Sequence, residues 1–301
     1  MKRSQDKSLG ARIKQYRASY VLMLPFTLIF ITFVVLPVFI SIGLGFTNYN
    51  ILQPPSFVGL DNYVRLFFDD DIFLMSIQNT LIFAVITGPV SYLMCLFFAW
   101  MLNELKRGMR TFLTLLFYTP SLISGAVVWK LILSGDQYGV LNSLLMQLNL
   151  ITDPIKWFTD TATIKGSIIV IVLWQSLGVS FLSFVAGFQN IDRSLYEAGA
   201  IDGIRNRWQE LWYITLPSLK GQLMFGAIIS ITNSFGIGEV ITTYCGFPSS
   251  NYGAHTIMNH LQDYGSIRFE MGYACAIATI LFILMVALNQ LIQRLISKVG
   301  H

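Results

Sequence analysis

The stretch YVLMLPFTLIFITFVVLPVFISIGLGF, residues 20–46, contains no charged side chain. A helix crosses the roughly 30 Å hydrocarbon core of a bilayer with about 20 mostly apolar residues, because each residue adds about 1.5 Å. The stretch is longer than the apolar part of a secretory signal peptide, and it lacks an A-x-A-like cleavage site. It therefore predicts a first membrane-spanning helix that is retained in the protein.

The rest of the chain repeats this pattern. Of the 301 residues, 54% are hydrophobic and only 12% are charged, which excludes an ordinary soluble domain. We predict an all-α fold with a basic N-terminal segment, 1–19, and one six-helix membrane domain, 20–301. The predicted spans are 20–47, 80–102, 112–133, 167–188, 223–244 and 271–291.

The basic residues set the expected orientation. With the N-terminus inside, fifteen of the 20 Lys and Arg residues fall in the inner segments, where such residues are retained. Both termini are therefore expected in the cytoplasm. The net charge of +4 does not indicate a nucleic-acid partner, because the basic residues are dispersed between apolar runs instead of forming one patch.

The longest predicted cytoplasmic loop, residues 189–220, has the most informative sequence. It contains SLYEAGAIDGIRNRWQELWYITLPSLK, residues 194–220. The small residues before Gly203 would let another surface approach the backbone, Gly203 offers a bend, and Pro217 predicts the end of the second helix. A projecting helix-turn-helix is one interpretation, and a merely solvated connector is the other.

The 189–220 loop resembles the EAA loop of binding-protein-dependent ABC importer permeases. The matching residues are Glu197, Ala198, Gly199, Asp202, Gly203, Ile214, Leu216 and Pro217. The stretches FVGLDNYVRLF from Phe57 and FGIGEVIT from Phe235 are also similar to sugar permeases, and the resemblance extends over most of the chain from Tyr20. One departure is Gly199, where the family usually has alanine.

The resemblance implies the transmembrane domain of a type I ABC importer, in the carbohydrate branch of the maltose and glycerol-phosphate type. It implies that the 189–220 loop couples the permease to a cytoplasmic ATPase, with Glu197 making a polar contact. The chain has no G-x-x-x-x-G-K-[ST] phosphate loop, so ATP and Mg²⁺ are expected on partner subunits. We expect no enzymatic activity and no cofactor in this chain.

The expected partners follow from the same resemblance. An ATPase dimer presents two clefts, whereas this chain has one EAA loop, so a second permease, homologous or identical, is required. The resemblance to the carbohydrate branch implies a distinct, homologous partner, which makes the pair a heterodimer. Two cytoplasmic ATPase subunits and an extracytoplasmic solute-binding protein would complete the assembly. The expected location is the cytoplasmic membrane of a bacterium, in contact with lipid.

Polar residues inside predicted spans are the candidate substrate contacts, because their burial in lipid is costly. In the fifth span, Asn233, Ser234 and Glu239 flank glycines that would let the helix bend beside a cavity. In the fourth, Trp174 and Gln175 offer an aromatic face and an amide, which suit a sugar. The alternatives are a water-facing Glu239 near the interface and an interfacial Trp174.

Other functional classes receive less support. His255 and His260 are about 140° apart on a helix, so no metal site is expected. An ion-driven secondary transporter would need paired ionisable residues inside the spans, and only Glu239 qualifies. An intramembrane enzyme would need a nucleophile and base within the spans, but the histidines lie outside them. An ABC permease for a non-sugar solute stays open.

Overall fold

The computed structural model describes residues 16–123 and 125–296. Its helices are α1 (Arg17–Leu44), α2 (Asp61–Val64), α3 (Asp71–Asn103), α4 (Arg107–Leu122), α5 (Ala126–Ile132), α6 (Val140–Gln147), α7 (Ile164–Gln175), α8 (Val179–Gln189), α9 (Arg193–Ile201), α10 (Arg207–Ser218), α11 (Lys220–Phe235), α12 (Gly238–Cys245), α13 (Ile257–Gln262) and α14 (Met271–Ile296). Most of the predicted segment 1–19 lies outside the described residues.

The sheet content of the described chain is one short antiparallel hairpin. Strand β1 (Thr47–Asn48) pairs with β2 (Ser56–Phe57), so that Thr47 lies opposite Phe57. The hairpin and the 189–220 loop lie at opposite ends of the helix bundle, and we refer to these as the hairpin end and the loop end. The predicted all-α fold is confirmed.

Within residues 16–123 and 125–296, four straight segments are long and apolar enough to cross a membrane: α1, α3, α14 and the α7–α8 stretch Ile164–Gln189. Two bent pairs bring the possible number to six. Helices α4 and α5 meet at 86°, and α10 and α11 meet at 81°. The predicted number of six spans is reached only when each bent pair is counted as one span.

Helix α3 begins nine residues earlier than the predicted second span. Asp70 caps it by accepting a hydrogen bond from the Phe73 N–H (2.9 Å), so the helix starts at Asp71. The predicted start at residue 80 is therefore wrong, and Asn79 and Thr80 lie within the helix. Both are buried in its interior, where Asn79 Nδ2 donates to the His255 carbonyl (2.9 Å).

The predicted third span, 112–133, is sharply bent. Helix α4 contains Pro120 in its last turn, which removes one backbone donor, and α5 follows Gly125. Gly125 has a positive φ of +59°, and a Cβ there would lie 2.8 Å from the Trp174 ring. This left-handed residue and the close ring explain why the helix does not continue straight.

The predicted fifth span, 223–244, consists of two helices. Helix α11 ends at Phe235, and α12 starts at Gly238 after a break at Gly236 and Ile237. The interruption expected from the glycines is present.

Helix α3 packs against α8 and α11, and α11 packs in turn against α8 and α14. These helices approach closely: a Cβ at Gly226 of α11 would lie 2.5 Å from the Phe184 ring of α8. Close packing of this kind holds membrane helices together where lipid removes the hydrophobic driving force. The arrangement places the broken α11–α12 segment in the middle of the bundle, beside α3 and α8.

Buried polar groups join several segments at the hairpin end. The Asp70 carboxylate accepts hydrogen bonds from the Tyr273 hydroxyl (2.7 Å) and from His260 Nε2 (2.9 Å), and the His255 and His260 ring centres are 5.8 Å apart. We call Asp70, His255, His260, Tyr264 and Tyr273 the Asp70 cluster. It connects the starts of α3 and α14 with α13.

Candidate functional site

The first helix of the 189–220 loop is fixed at both ends. Asp192 caps α9 by accepting from the Ser194 N–H (3.0 Å), and hydrogen bonds from the Ser194 backbone and side chain lower the pKa of Asp192. At the other end Gly203 has a φ of +94°, and the Ile204 N–H donates to the Gly199 carbonyl (2.9 Å). This is a Schellman cap. The bend expected at Gly203 is thus present.

The second helix of the loop, α10, is attached to the membrane helices. The Arg207 guanidinium lies 3.4 Å from the Glu104 carboxylate, just beyond the end of α3. The Trp208 ring packs on Trp100 of α3 with ring centres 5.1 Å apart. The exposed ion pair contributes little stability, so the ring contact is the firmer attachment.

Pro217 does not end α10, contrary to the sequence prediction. The helix continues through Leu216 and Pro217 to Ser218, after a wider π-helical turn over Leu211–Thr215. Proline has no backbone N–H to donate, and this wider turn lets the helix continue past it. The chain then turns by 81° at Leu219 into α11, so Leu216 and Pro217 lie where the loop joins a membrane helix.

The EAA residues divide into an outward face and an inward contact. Glu197, Ala198 and Asp202 are exposed, and Ile201 beside them is 87% exposed. Gly199 is buried against its own chain, where a Cβ would lie 2.5 Å from the end of the Ile214 side chain. The prediction that Gly199 serves the approach of another surface is therefore wrong, whereas the exposed residues form a free face on α9.

A cavity of about 610 Å³ lies between α3, α4, α7, α8 and the broken α11–α12 segment. Its lining residues are Thr87, Ser91, Ser121, Leu122, Ile123, Val172, Gln175, Ser176, Val179, Ser180, Ser230, Thr232, Asn233, Ser234, Gly236, Ile237, Glu239, Val240, Thr243 and Tyr244. Half of these side chains carry a hydroxyl group.

The hydroxyl groups in the cavity donate their hydrogens mainly to helix carbonyls. Ser234 Oγ donates to Ser230 O (2.6 Å), Thr87 Oγ1 to Phe83 O (2.8 Å), and Ser180 Oγ more weakly to Gly226 O (3.4 Å) of the neighbouring helix. A hydroxyl used in this way keeps lone pairs that can accept further hydrogen bonds. The cavity therefore offers acceptors to a ligand that is rich in donors.

The structure brings four of the five predicted substrate contacts to this cavity. Gln175, Asn233, Ser234 and Glu239 line it, and their contact with a substrate stays a prediction. Trp174 is absent from the lining residues described above. Its ring packs against Trp129, with centres 5.7 Å apart at 80°, and holds the start of α5.

Sequence reasoning missed most of the hydroxyl groups. Thr87 and Ser91 are four residues apart on α3, as are Ser230 and Ser234 on α11, so each pair shares one helix face. This spacing is a signal that the sequence contains. The contributions of Ser121 and Ser176 have no such signal, because helix packing brings them to the cavity.

Metal ligands do not gather anywhere in the described parts of the chain. No group of three or more His, Cys, Asp or Glu side chains there could hold a metal ion. His255 and His260 lie close together, but Asp70 is hydrogen-bonded to His260 in a buried, structural arrangement.

Comparison with known proteins gives concordant results. Residues 91–299 match the family described as "Binding-protein-dependent transport system inner membrane component". The chain is 32% identical over 289 residues to the "Probable ABC transporter permease protein YesP" of Bacillus subtilis (strain 168), covering 94% of this chain and 91% of YesP. It is 34% identical to the "Lactose transport system permease protein LacF" of Rhizobium radiobacter, covering 79% of this chain and 80% of LacF.

A solved structure shows the same architecture. A chain of "a bacterial ABC transporter involved in the import of the acidic polysaccharide alginate" superposes with a TM-score of 0.75 at 25% identity, covering 97% of this chain and 100% of that chain. The helical bundle, with four to six candidate membrane spans in the described residues, agrees with these matches. The chain belongs to the inner membrane components of binding-protein-dependent transport systems, the ABC transporter permeases.

Proposed function

We propose that this chain is one of two permeases in an ATP-driven importer of sugars, and that the 189–220 loop couples it to an ATPase. One observation carries the proposal: the exposed helix α9 continues, through capped turns, into a helix that joins the cavity. Gly203 fixes the α9–α10 turn, and α10 runs through Pro217 directly into α11. Helix α11 in turn contributes Ser230, Asn233 and Ser234 to the cavity.

This connection gives a mechanical route between the two sites. A rigid helix seated in a partner's cleft transmits displacement, because packed interfaces switch between discrete arrangements. Movement of α9 would be carried by α10 to α11, and through the Trp208–Trp100 contact to α3. Both of those membrane helices line the cavity, so a displacement at the loop would change the shape of the cavity.

The cavity supports a sugar as the transported solute. Sugars present many hydroxyl donors, and the serine and threonine hydroxyls of the cavity have lone pairs left to accept from them. Gln175 and Asn233 add amides that can both donate and accept. The similarity to a lactose permease supports the same class of solute.

The remaining parts of the importer belong to other chains in this proposal. ATP and Mg²⁺ bind to two ATPase subunits at the loop end, which is the cytoplasmic side and holds both termini. A second, homologous permease completes the pathway, and a solute-binding protein delivers the sugar at the hairpin end. The free face of α9, with Ile201 almost fully exposed, supports the position of the ATPase contact.

The test is copurification of the tagged chain from its native membrane, followed by ATP-dependent sugar uptake in proteoliposomes. We expect a second permease and an ATPase subunit to copurify. Glu197→Lys should stay in the membrane but lose the ATPase and more than about tenfold of the uptake rate, since it reverses a charge at the contact. Asp153→Lys, an equal change in an exposed loop at the opposite end of the bundle, is the control for copurification of the ATPase. Full uptake by Glu197→Lys would refute the coupling role.

A further inference from the structure

The cavity carries a single fixed charge. Among its described lining residues, Glu239 alone has an acidic side chain, and lysine, arginine and histidine are absent from that set. The Glu239 side chain is exposed to the cavity and makes no hydrogen bond or ion pair with the described residues. An unpaired carboxylate inside a membrane bundle is costly, so it requires a reason.

The break in the fifth span makes the position of Glu239 favourable for a carboxylate. Glu239 lies in the first turn of α12, directly after the interruption at Gly236. The partial positive charge at a helix N-terminus favours an anionic side chain there. The described lining therefore places one carboxyl side chain at the wall of the cavity and supplies no lysine, arginine or histidine to pair with it.

We propose that Glu239 is a specificity residue that favours neutral and cationic sugars and disfavours anionic ones. This inference rests on the proposed function of the chain in sugar import. Like charges at short range repel, so an anionic sugar passing Glu239 would be slowed. A neutral sugar can use the carboxylate as a hydrogen-bond acceptor, and an amino sugar can pair with it.

The relatives make charge a useful distinction. One similar permease is named for lactose, which is neutral, whereas the superposed structure belongs to an importer of an acidic polysaccharide. One fold thus serves both kinds of solute.

The direct test measures the charge of the cavity without any sugar. Thr243→Cys introduces a thiol about 6 Å from Glu239, one helical turn away on the cavity wall. In the assembled transporter, with native Cys95, Cys245 and Cys275 replaced by alanine or serine, this thiol is reacted with a cationic trimethylammonium-ethyl and an anionic sulfonatoethyl methanethiosulfonate. The ratio of the cationic to the anionic reaction rate is compared with the same ratio measured for the free thiol 2-mercaptoethanol.

The proposal predicts that the ratio of the cationic to the anionic reaction rate at Thr243→Cys exceeds the same ratio for 2-mercaptoethanol by about tenfold or more. This is the size expected for one unscreened charge. Adding Glu239→Gln should bring the ratio to within about twofold of the free thiol. Glu239→Asp should keep the preference, and Asp153→Asn, which removes a charge outside the cavity lining, should not change it. An equal ratio with and without the Glu239 carboxylate would overturn the proposal.

A second measurement does not require the Glu239 variant to fold. Raising the ionic strength from about 0.01 to 1 M shortens the screening length from about 30 to about 3 Å. The cationic preference at Thr243→Cys should fall steadily over this range, and a preference that does not depend on salt would contradict the proposal.

Uptake assays then test whether the Glu239 carboxylate selects among solutes. Uptake by proteoliposomes is compared for a neutral oligosaccharide, its uronic acid counterpart and its amino-sugar counterpart, each as the ratio of Glu239→Gln to the parent protein. Any selectivity of the binding protein cancels in this ratio. We expect the ratio to rise for the uronic acid relative to the neutral sugar, and a constant ratio would refute the specificity role. Failure of all uptake in the parent would refute sugar import and leave the reagent result unaffected.

Discussion

The Asp70 cluster and the 189–220 loop lie at opposite ends of the bundle, and both contain acidic side chains outside the membrane-spanning helices. In the cluster, Asp70 is 8% exposed and accepts hydrogen bonds from three groups. In the loop, Glu197 is exposed on α9. A carboxylate whose donors all come from its own chain stabilises the fold, whereas one that faces outward is available to a partner.

The Asp70 cluster and the 189–220 loop are also attached to the rest of the bundle differently. The Arg65 guanidinium lies over the Tyr273 ring, 4.1 Å from its centre, and pairs with Glu270 at 2.6 Å, so the cluster ties α14 to the segment before α3. The loop is attached chiefly by Trp208 and by the turn into α11. Substitutions in the cluster should therefore affect stability, and those on α9 should affect assembly.

The largest effect is expected from Asp70→Ala. The change leaves His260 and Tyr273 without their acceptor in a buried site, and it removes the cap of α3. Loss of one partner of a buried polar pair costs roughly 3 kcal/mol or more. Thermal unfolding in detergent should show a large fall in the melting temperature. A change as small as that of an exposed loop variant such as Asp153→Ala would mean that the cluster does not hold the hairpin end together.

A smaller loss is expected from Gly203→Val, because the strain is confined to one turn. A β-branched residue at a φ of +94° costs of order 1–3 kcal/mol, and it would loosen the Schellman cap that fixes α9 to α10. We expect modest destabilisation in unfolding assays and a clear loss of ATP-dependent uptake. Gly59→Val, at a φ of +63° in the hairpin-end loop, imposes similar strain and should spare coupling. Equal uptake by both variants would show that the turn has no role in transmission.

The sequence predicts the main features of the fold because lipid imposes a simple rule. Apolar runs of about 20 residues identify the spans, and the Gly203 turn follows from the glycine. The bend between α4 and α5 is not predictable in this way, because it depends on Trp174 packing against Gly125. The early start of α3 depends on Asp70, which also binds residues about 200 positions later.

The candidate site is predictable only in part. Glu239 and Asn233 stand out because polar residues are rare in apolar runs. Serine and threonine do not, because their hydroxyls bond to the carbonyl one turn earlier and are tolerated in any membrane helix. Whether they face a cavity depends on helix packing. The burial of Gly199 likewise depends on its packing against Ile214, which the sequence alone does not reveal.

A loss of stability between about pH 6.5 and about pH 4 is expected from the Asp70 cluster. Burial lowers the pKa of His255 to about 4, and His260 adds to this, although Asp263 and Asp70 oppose it. The unfolded chain takes up this proton near pH 6.5 and the folded chain only near pH 4, so stability falls as the pH decreases between these values. Melting temperatures measured from pH 7.5 to 4 should decline, and His255→Gln should flatten the decline.

The acid limb below this range has a different origin. Burial opposes ionisation of Asp70, but hydrogen bonds from His260, Tyr273 and the Phe73 N–H outweigh it and lower the pKa of that carboxyl. Its contribution to stability is present above the unfolded pKa of about 4 and is lost as the pH falls further. A decline that persists unchanged in His255→Gln between pH 6.5 and 4 would assign the effect to another group.

The smallest effect on stability, with a specific effect on assembly, is expected from Ile201→Ser. This side chain is 87% exposed on α9 and packs on nothing in its own fold that would compensate for contact with water. Removing it should change the free energy of unfolding by less than about 0.5 kcal/mol.

In the assembled importer the same residue would be buried in the ATPase cleft, where an isoleucine contributes about 1.5–3 kcal/mol. Leu52→Ser, at a 90% exposed leucine of the hairpin end, is the matched control. Copurification with the ATPase should decrease at least about tenfold for Ile201→Ser alone. If both variants keep the ATPase equally, the exposed face of α9 is not the contact, and the distinction between the closed cluster and the open loop would rest on stability alone.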